Sequence, residues 1–151
     1  MQMKEIPNTI GLRTTIGADY EFVYQVKKAA LGVYIDQIWG WDEDFQRDYH
    51  RKEFIPSKIQ IITFNAKDVG WQVVNRTPDW IYIVDIVILP EFQRKGIGSE
   101  LIRRIMCEAK DKHIPVRLGV FKINPVRSLY ERLGFSVFHE TETHYEMEAF
   151  A

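Results

Sequence analysis

The sequence lacks the raw material for several classes of protein. It holds one cysteine, Cys107, in 151 residues, so no intramolecular disulfide and no cysteine-rich zinc site can form, which fits a reducing compartment. Histidine is also scarce, and His50, His113 and His139 lie in polar surroundings without ligand spacing, so no metal is expected. Charge of one sign is missing: 20 Lys and Arg stand against 21 Asp and Glu, and a net charge of −1 supplies no long-range pull on nucleic acid or an anionic membrane. The longest apolar run, residues 81–90, is interrupted by Asp85 and falls far short of the ~20 residues that span a bilayer. The amino-terminal MQMKEIPNTIGLR carries no apolar signal-peptide core. These absences lead us to expect a cytoplasmic protein with no membrane and no nucleic-acid partner. Repeats, low-complexity tracts and linkers are absent as well, so residues 1–151 are expected to form a single domain.

What is present is a regular alternation of patterns. A short strand near residues 12–16 ends at Gly17. Over residues 18–31, Phe22, Val23, Val26, Ala29 and Ala30 recur at helical spacing, with Asp19 placed to cap the start. Gly40 then breaks the pattern, and Asp42, Glu43 and Asp44 open a second helix, which predicts two helices joined at Trp39–Gly40. The β-branched and aromatic runs 58–64, 69–75 and 81–89, separated by short polar breaks, predict an antiparallel meander. Residues 98–112 carry Leu101, Ile102, Ile105, Met106 and Ala109 on one face of a helix, with Glu100, Arg104 and Glu108 on its wet side. Cys107, on this apolar helix, is expected in the core. A strand over 116–121, a short helix over 125–133 and two strands over 135–139 and 144–150 complete a mixed α/β (α+β) order, β-α-α-β-β-β-α-β-α-β-β.

The segment ILPEFQRKGIGS, residues 88–99, lies between a strongly apolar strand and an amphipathic helix. Gly96 and Gly98 let the backbone turn so that successive N–H groups and the helix N-terminus point at one anion, with Arg94 and Lys95 adding positive charge. A phosphate or pyrophosphate site built from main-chain donors follows. A dinucleotide fingerprint would need glycine where Leu101 stands, and a P-loop would need Lys-Ser/Thr after the last glycine, where Ser99 and Glu100 stand. The same two glycines also suit a plain strand-to-helix turn.

QRKGIG, residues 93–98, resembles the Q/R-x-x-G-x-G/A acetyl-CoA signature of the GCN5-related N-acetyltransferase (GNAT) superfamily. NPVRSLYERLGF, residues 124–135, is similar to the second conserved segment of that family. The resemblance implies a mostly antiparallel central sheet flanked by helices, with acetyl-CoA as cosubstrate. It implies that backbone groups of Ile86, Val87 and Ile88 pair with the pantetheine arm in a V-shaped gap between the strands at 81–89 and 116–121. It further implies that Gln93, Arg94, Lys95, Gly96, Ile97, Gly98 and Ser99 wrap the pyrophosphate, that Asn124 bonds the cofactor arm, and that Tyr130 lies near the sulfur as general acid. Many members carry an acid on the strand at 116–121, where this chain has Gly119. Homodimers are common in the family, so the resemblance is compatible with one here.

Acetyl transfer requires a neutral amine, a donor for the tetrahedral oxyanion and protonation of the departing thiolate. A β-strand N–H near Val87 or Ile88 suits the oxyanion. Asp85, an acid among apolar neighbours whose pKa desolvation would raise, is one candidate base. His144 and a water chain are the others, and a structural carboxylate is the alternative reading of Asp85. On the acceptor side, the resemblance draws attention to Tyr34, Trp39, Trp41 and Glu43, which could form an aromatic and anionic mouth, or could merely pack and start a helix. The function expected is transfer of an acetyl group from acetyl-CoA to a primary amine, on a small molecule or a protein. The alternative is a non-catalytic acyl-CoA-binding or regulatory module, toward which Gly119 leans.

Overall fold

A computed structural model describes residues 8–150. Seven strands form one sheet: β1 (Ile10–Thr14), β2 (Gln60–Phe64), β3 (Lys67–Arg76), β4 (Ile81–Ile88), β5 (Val116–Phe121), β6 (Ser136–Glu140) and β7 (His144–Ala149). Four α-helices accompany them: α1 (Tyr20–Trp39), α2 (Glu43–Glu53), α3 (Ile97–Lys112) and α4 (Arg127–Arg132). The sheet order is β1-β2-β3-β4-β5-β7-β6. Only β4 and β5 run parallel, because α3 is the crossover between them, and every other neighbouring pair is antiparallel.

The expected element order holds, with local shifts. The β2–β3 turn shrinks to Asn65 and Ala66, both left-handed at φ 51° and 67°, so β3 begins at Lys67 instead of residue 69. Asp19 does not cap α1 with its side chain. Its carboxylate instead accepts from the Ile16 N–H at 2.9 Å and from the two terminal guanidinium nitrogens of Arg13, at 3.0 and 2.8 Å, binding the end of β1 to the start of α1. Cys107 is exposed, not buried. It shares the wet side of α3 with Arg103 and Lys110, four residues before and three after, and helical period overrides the burial habit of the thiol. His50 is buried at 8% exposure, with Nε2 2.8 Å from the Tyr20 carbonyl, where polar surroundings were expected.

The sheet buries both faces. On one, Ile102, Ile105 and Ala109 of α3 pack on Ile81, Ile83, Leu118, Val120 and Met147. On the other, Val23 and Val26 of α1 pack on Ile61, Trp71 and Val87. β4 serves both because its ladder with β3 slips between Val73↔Asp85 and Val74↔Ile83, leaving Val84 as an extra residue. Such a bulge reverses the alternation of the strand. Ile81 and Ile83 face α3, whereas Asp85 and Val87 face α1.

Candidate active site

The pairing of β4 with β5 stops at Ile83↔Leu118, immediately before the bulge. From there β5 continues along β7 through Phe121↔His144, while β4 continues along β3 only. The two strands diverge, and the edge of β4 toward the gap has no strand partner. The Leu89 N–H bonds the Val69 carbonyl at 2.9 Å, which fixes the ladder parity. The N–H and C=O groups of Val87 are therefore spent on β3, and those of Ile86 and Ile88 face the gap. Val87 is thus removed from the candidate backbone partners, because its groups already have a strand to bond. The Ile88 carbonyl accepts from the Gln93 side-chain amide at 2.9 Å, so Gln93 ties the following loop to the strand.

That loop carries two left-handed residues, Arg94 at φ 62° and Gly96 at φ 81°. Gly96 is the N-cap of α3, and the first helical bond runs from Glu100 N–H to Gly96 C=O at 3.1 Å. The N–H groups of Ile97, Gly98 and Ser99 consequently have no intrahelical acceptor, at the positive end of a sixteen-residue helix. Such N–H groups can hold an anion at the start of α3.

Beneath the gap lies a cleft of about 1040 Å³ between α1, α2 and the β4–β5–β7 surface. Asp85, Ile86, Val87, Asn124 and Tyr130 line it, and residues 93–99 do not. The Asn124 Oδ1 accepts from the Val126 N–H at 3.0 Å, opening the turn into α4. Desolvation pushes the Tyr130 hydroxyl up to about 12, and the nearby charge of Asp85 adds to it. Desolvation also pushes Asp85 up to about 6, against the opposing pull of the Lys27 ammonium. Lys27 is lowered by its own burial, while Asp85 and Glu53 support its charge. The structure thus brings the expected acid and a candidate base into one desolvated space.

The acceptor-side residues divide. Trp39 lines the cleft, with its ring 5.9 Å from that of Phe121. Tyr34 reaches the cleft only through its contact with Phe121, at 6.5 Å. His144 lines the cleft, its ring 4.5 Å from Phe121. Trp41 and Glu43 do not form a mouth. The Trp41 Nε1 donates to Glu43 at 2.8 Å and Lys28 pairs with Glu43 at 3.0 Å, so these groups fasten α2 to α1 outside the cleft. The hydrogen bond from Trp41, followed by that from Lys28, holds the Glu43 carboxyl down at about 2. Asp42 caps α2, accepting from the Phe45 N–H at 3.0 Å.

Lys27, Tyr82 and Glu146 were not singled out from the sequence. The Tyr82 hydroxyl donates to Glu146 at 3.1 Å inside the cleft. Glu146 stands opposite Gly119 in the β5–β7 register, and the missing side chain at Gly119 was its only sequence signal.

Residues 57–137 match the family model described as Acetyltransferase (GNAT) domain. The chain belongs to the GNAT acetyltransferase family. A curated relative is the [ribosomal protein bS18]-alanine N-acetyltransferase of Haemophilus influenzae, 24% identical over 119 residues, which cover 78% of this chain and 75% of that protein. Among solved structures, the PaiA N-acetyltransferase of Thermoplasma acidophilum in complex with coenzyme A superposes with a TM-score of 0.75 at 19% identity, over 95% of this chain and 99% of that one. The ribosomal-protein-S18-alanine N-acetyltransferase of Escherichia coli gives 0.64 at 19% identity, over 95% and 94%. This GNAT chain is an acyltransferase. Among the described residues no helix is long and apolar enough to cross a membrane, and no cluster of three or more His, Cys, Asp or Glu could hold a metal ion.

Proposed function

We propose that this GNAT protein transfers an acetyl group from acetyl-CoA to a primary amine by direct attack in a ternary complex. The observation that carries the reading is the divergence of β4 from β5 over a cleft that contains both Tyr130 and Asp85. The edge at Ile86 and Ile88, which among the described residues has no strand partner and only the Ile88 carbonyl engaged, by Gln93, suits an extended amide-bearing arm, added as a strand would be. The free N–H groups at 97–99, with Arg94 and Lys95 beside them, suit a pyrophosphate. Acetyl-CoA supplies the activated thioester. Asp85 takes the proton of the attacking amine, since a carboxylate titrating near 6 is ionised at neutral pH and more basic than an exposed one. An N–H at Ile86 or Ile88 donates to the oxyanion. Tyr130, protonated throughout the physiological range, donates to the departing thiolate sulfur.

The cleft lining carries Asp42, Glu53, Asp85 and Glu146 against Lys27 and Lys58, an acidic balance that supports a cationic acceptor. The alanine N-acetyltransferase relatives make a protein amino terminus one candidate, and small amines the other. A CoA-release assay with acetyl-CoA and a panel of small amines and peptides with free amino termini tests the proposal. Release that depends on the amine supports it, and acetyl-CoA binding without release across the panel would leave a binding module.

A further inference from the structure

Gly119 has no left-handed backbone to accommodate, so its missing side chain serves space. A Cβ built there would meet the Glu146 Oε1 at 3.2 Å, the Tyr82 hydroxyl at 3.3 Å and the Glu146 Oε2 at 3.5 Å. The carboxylate of β7 has moved into the volume that a side chain on β5 would fill. The Tyr82 hydroxyl holds Oε2, while among the described residues no hydrogen bond reaches Oε1. Both residues line the cleft, and the charge of Glu146 is felt at the Tyr82 hydroxyl together with that of Asp85. Two rungs along the same two strands, Phe121 pairs with His144 on the same face, their rings 4.5 Å apart. Two residues of strand put this aromatic pair roughly 6.6 Å from the carboxylate rung.

We infer that Glu146, clamped by Tyr82 in the space left by Gly119, binds the ammonium of the acceptor, and that the Phe121–His144 rung takes a flat apolar body two or three carbons away. The acceptor class is an arylalkyl primary amine or a chain end of the same shape. The inference rests on the acetyl-transfer reading for the fate of the amine, not for its capture.

The test measures binding of 2-phenylethylamine and of its uncharged counterpart 2-phenylethanol to the protein–CoA complex by calorimetry at neutral pH. A charge-assisted hydrogen bond of ordinary strength should favour the amine by about tenfold or more. Glu146→Gln, which keeps size and the Tyr82 contact, should abolish that preference while leaving CoA affinity unchanged. Glu146→Ala should abolish it too, and adding Gly119→Asp to Glu146→Ala should restore it by returning a carboxylate to the same space from the other strand. Gly119→Asp alone should weaken amine binding through crowding. Such sign reversal between backgrounds is not the behaviour of a merely structural residue. Equal binding of amine and alcohol in the wild type, or a preference that survives Glu146→Gln, overturns the inference. Amine preference that depends on Glu146, with no CoA release from any acceptor, would overturn acetyl transfer and leave the amine site standing.

Discussion

The proposed base role of Asp85 sets stability against function in a way that pH would expose. Desolvation raises its carboxyl from an ordinary 3.8 to about 6, so between those values the native state keeps a proton that the unfolded chain has released. Stability therefore falls as pH rises from about 4 to about 6, and the full penalty persists above that window. The difference amounts to about 3 kcal/mol at neutral pH and above. Asp85→Asn removes the ionisable group, so its melting temperature at pH 8 should exceed that of the wild type by roughly 6–12 °C for a chain of this size. Lys27 reduces the gain, because its ammonium loses the charge of Asp85 that supports it in a desolvated place. Near pH 4 the two proteins should converge. The same substitution should lower kcat/KM for the amine by 10²-fold or more and remove the acid limb of the pH–rate profile near pH 6. Thermal melts of both proteins across pH 4–8, followed by scanning calorimetry, provide the measurement. Equal melting temperatures at pH 8, or a stability difference that fails to shrink toward pH 4, would refute the desolvated Asp85 and with it the base assignment.

Three further outcomes are expected. Tyr130→Phe should lower kcat by 10²–10⁴-fold with little change in acetyl-CoA affinity, and unaltered turnover would remove Tyr130 from the reaction. Gly96→Glu should weaken acetyl-CoA binding at least tenfold in calorimetry, by setting a negative charge and a strained left-handed residue beside the N–H groups of α3; unchanged affinity would refute the anion cradle. Gly70→Ala should cost about 1–3 kcal/mol in urea unfolding, because its Cβ would collide with the Val87 carbonyl of β4, and an unaffected midpoint would contradict the close approach of β3 to β4.

The sequence carried the element order, the meander and the glycine turn into α3 clearly, because apolar periodicity and glycine spacing are local signals. The bulge at Val84 was invisible to it. IYIVDIVIL reads as uninterrupted strand, and uninterrupted alternation would turn Asp85 toward α3 with Ile81 and Ile83. Asp85 therefore looked unusual in sequence for the right reason, an acid among apolar residues, but its place in the cleft comes from a register slip against β3. Trp41 and Glu43 misled because an aromatic followed by acids reads equally as a ligand mouth or a helix start, and their mutual hydrogen bond and Lys28 decide for the helix. Glu146 lay beyond reach because its meaning depends on an absent side chain on a neighbouring strand, a relation set by the pairing of β5 with β7. Cys107 is the reverse case: the helical period alone places it beside Arg103 and Lys110 on the exposed side of α3, against the burial habit of a free thiol.

The slip at Val84 also makes β4 a beam shared by two otherwise separate layers. Ile81 and Ile83 before the bulge and Ile86 and Ile88 after it pack on the α3 side, while Val87 packs on the α1 core, so neither layer can open without disturbing the strand that borders the cleft. The amides of β4 bonded to β3 should accordingly exchange with solvent only through global unfolding, among the slowest in the protein, while the groups of Ile86 and Ile88 that face the gap exchange early. One strand would then show the most and the least protected amides of the sheet at adjacent positions.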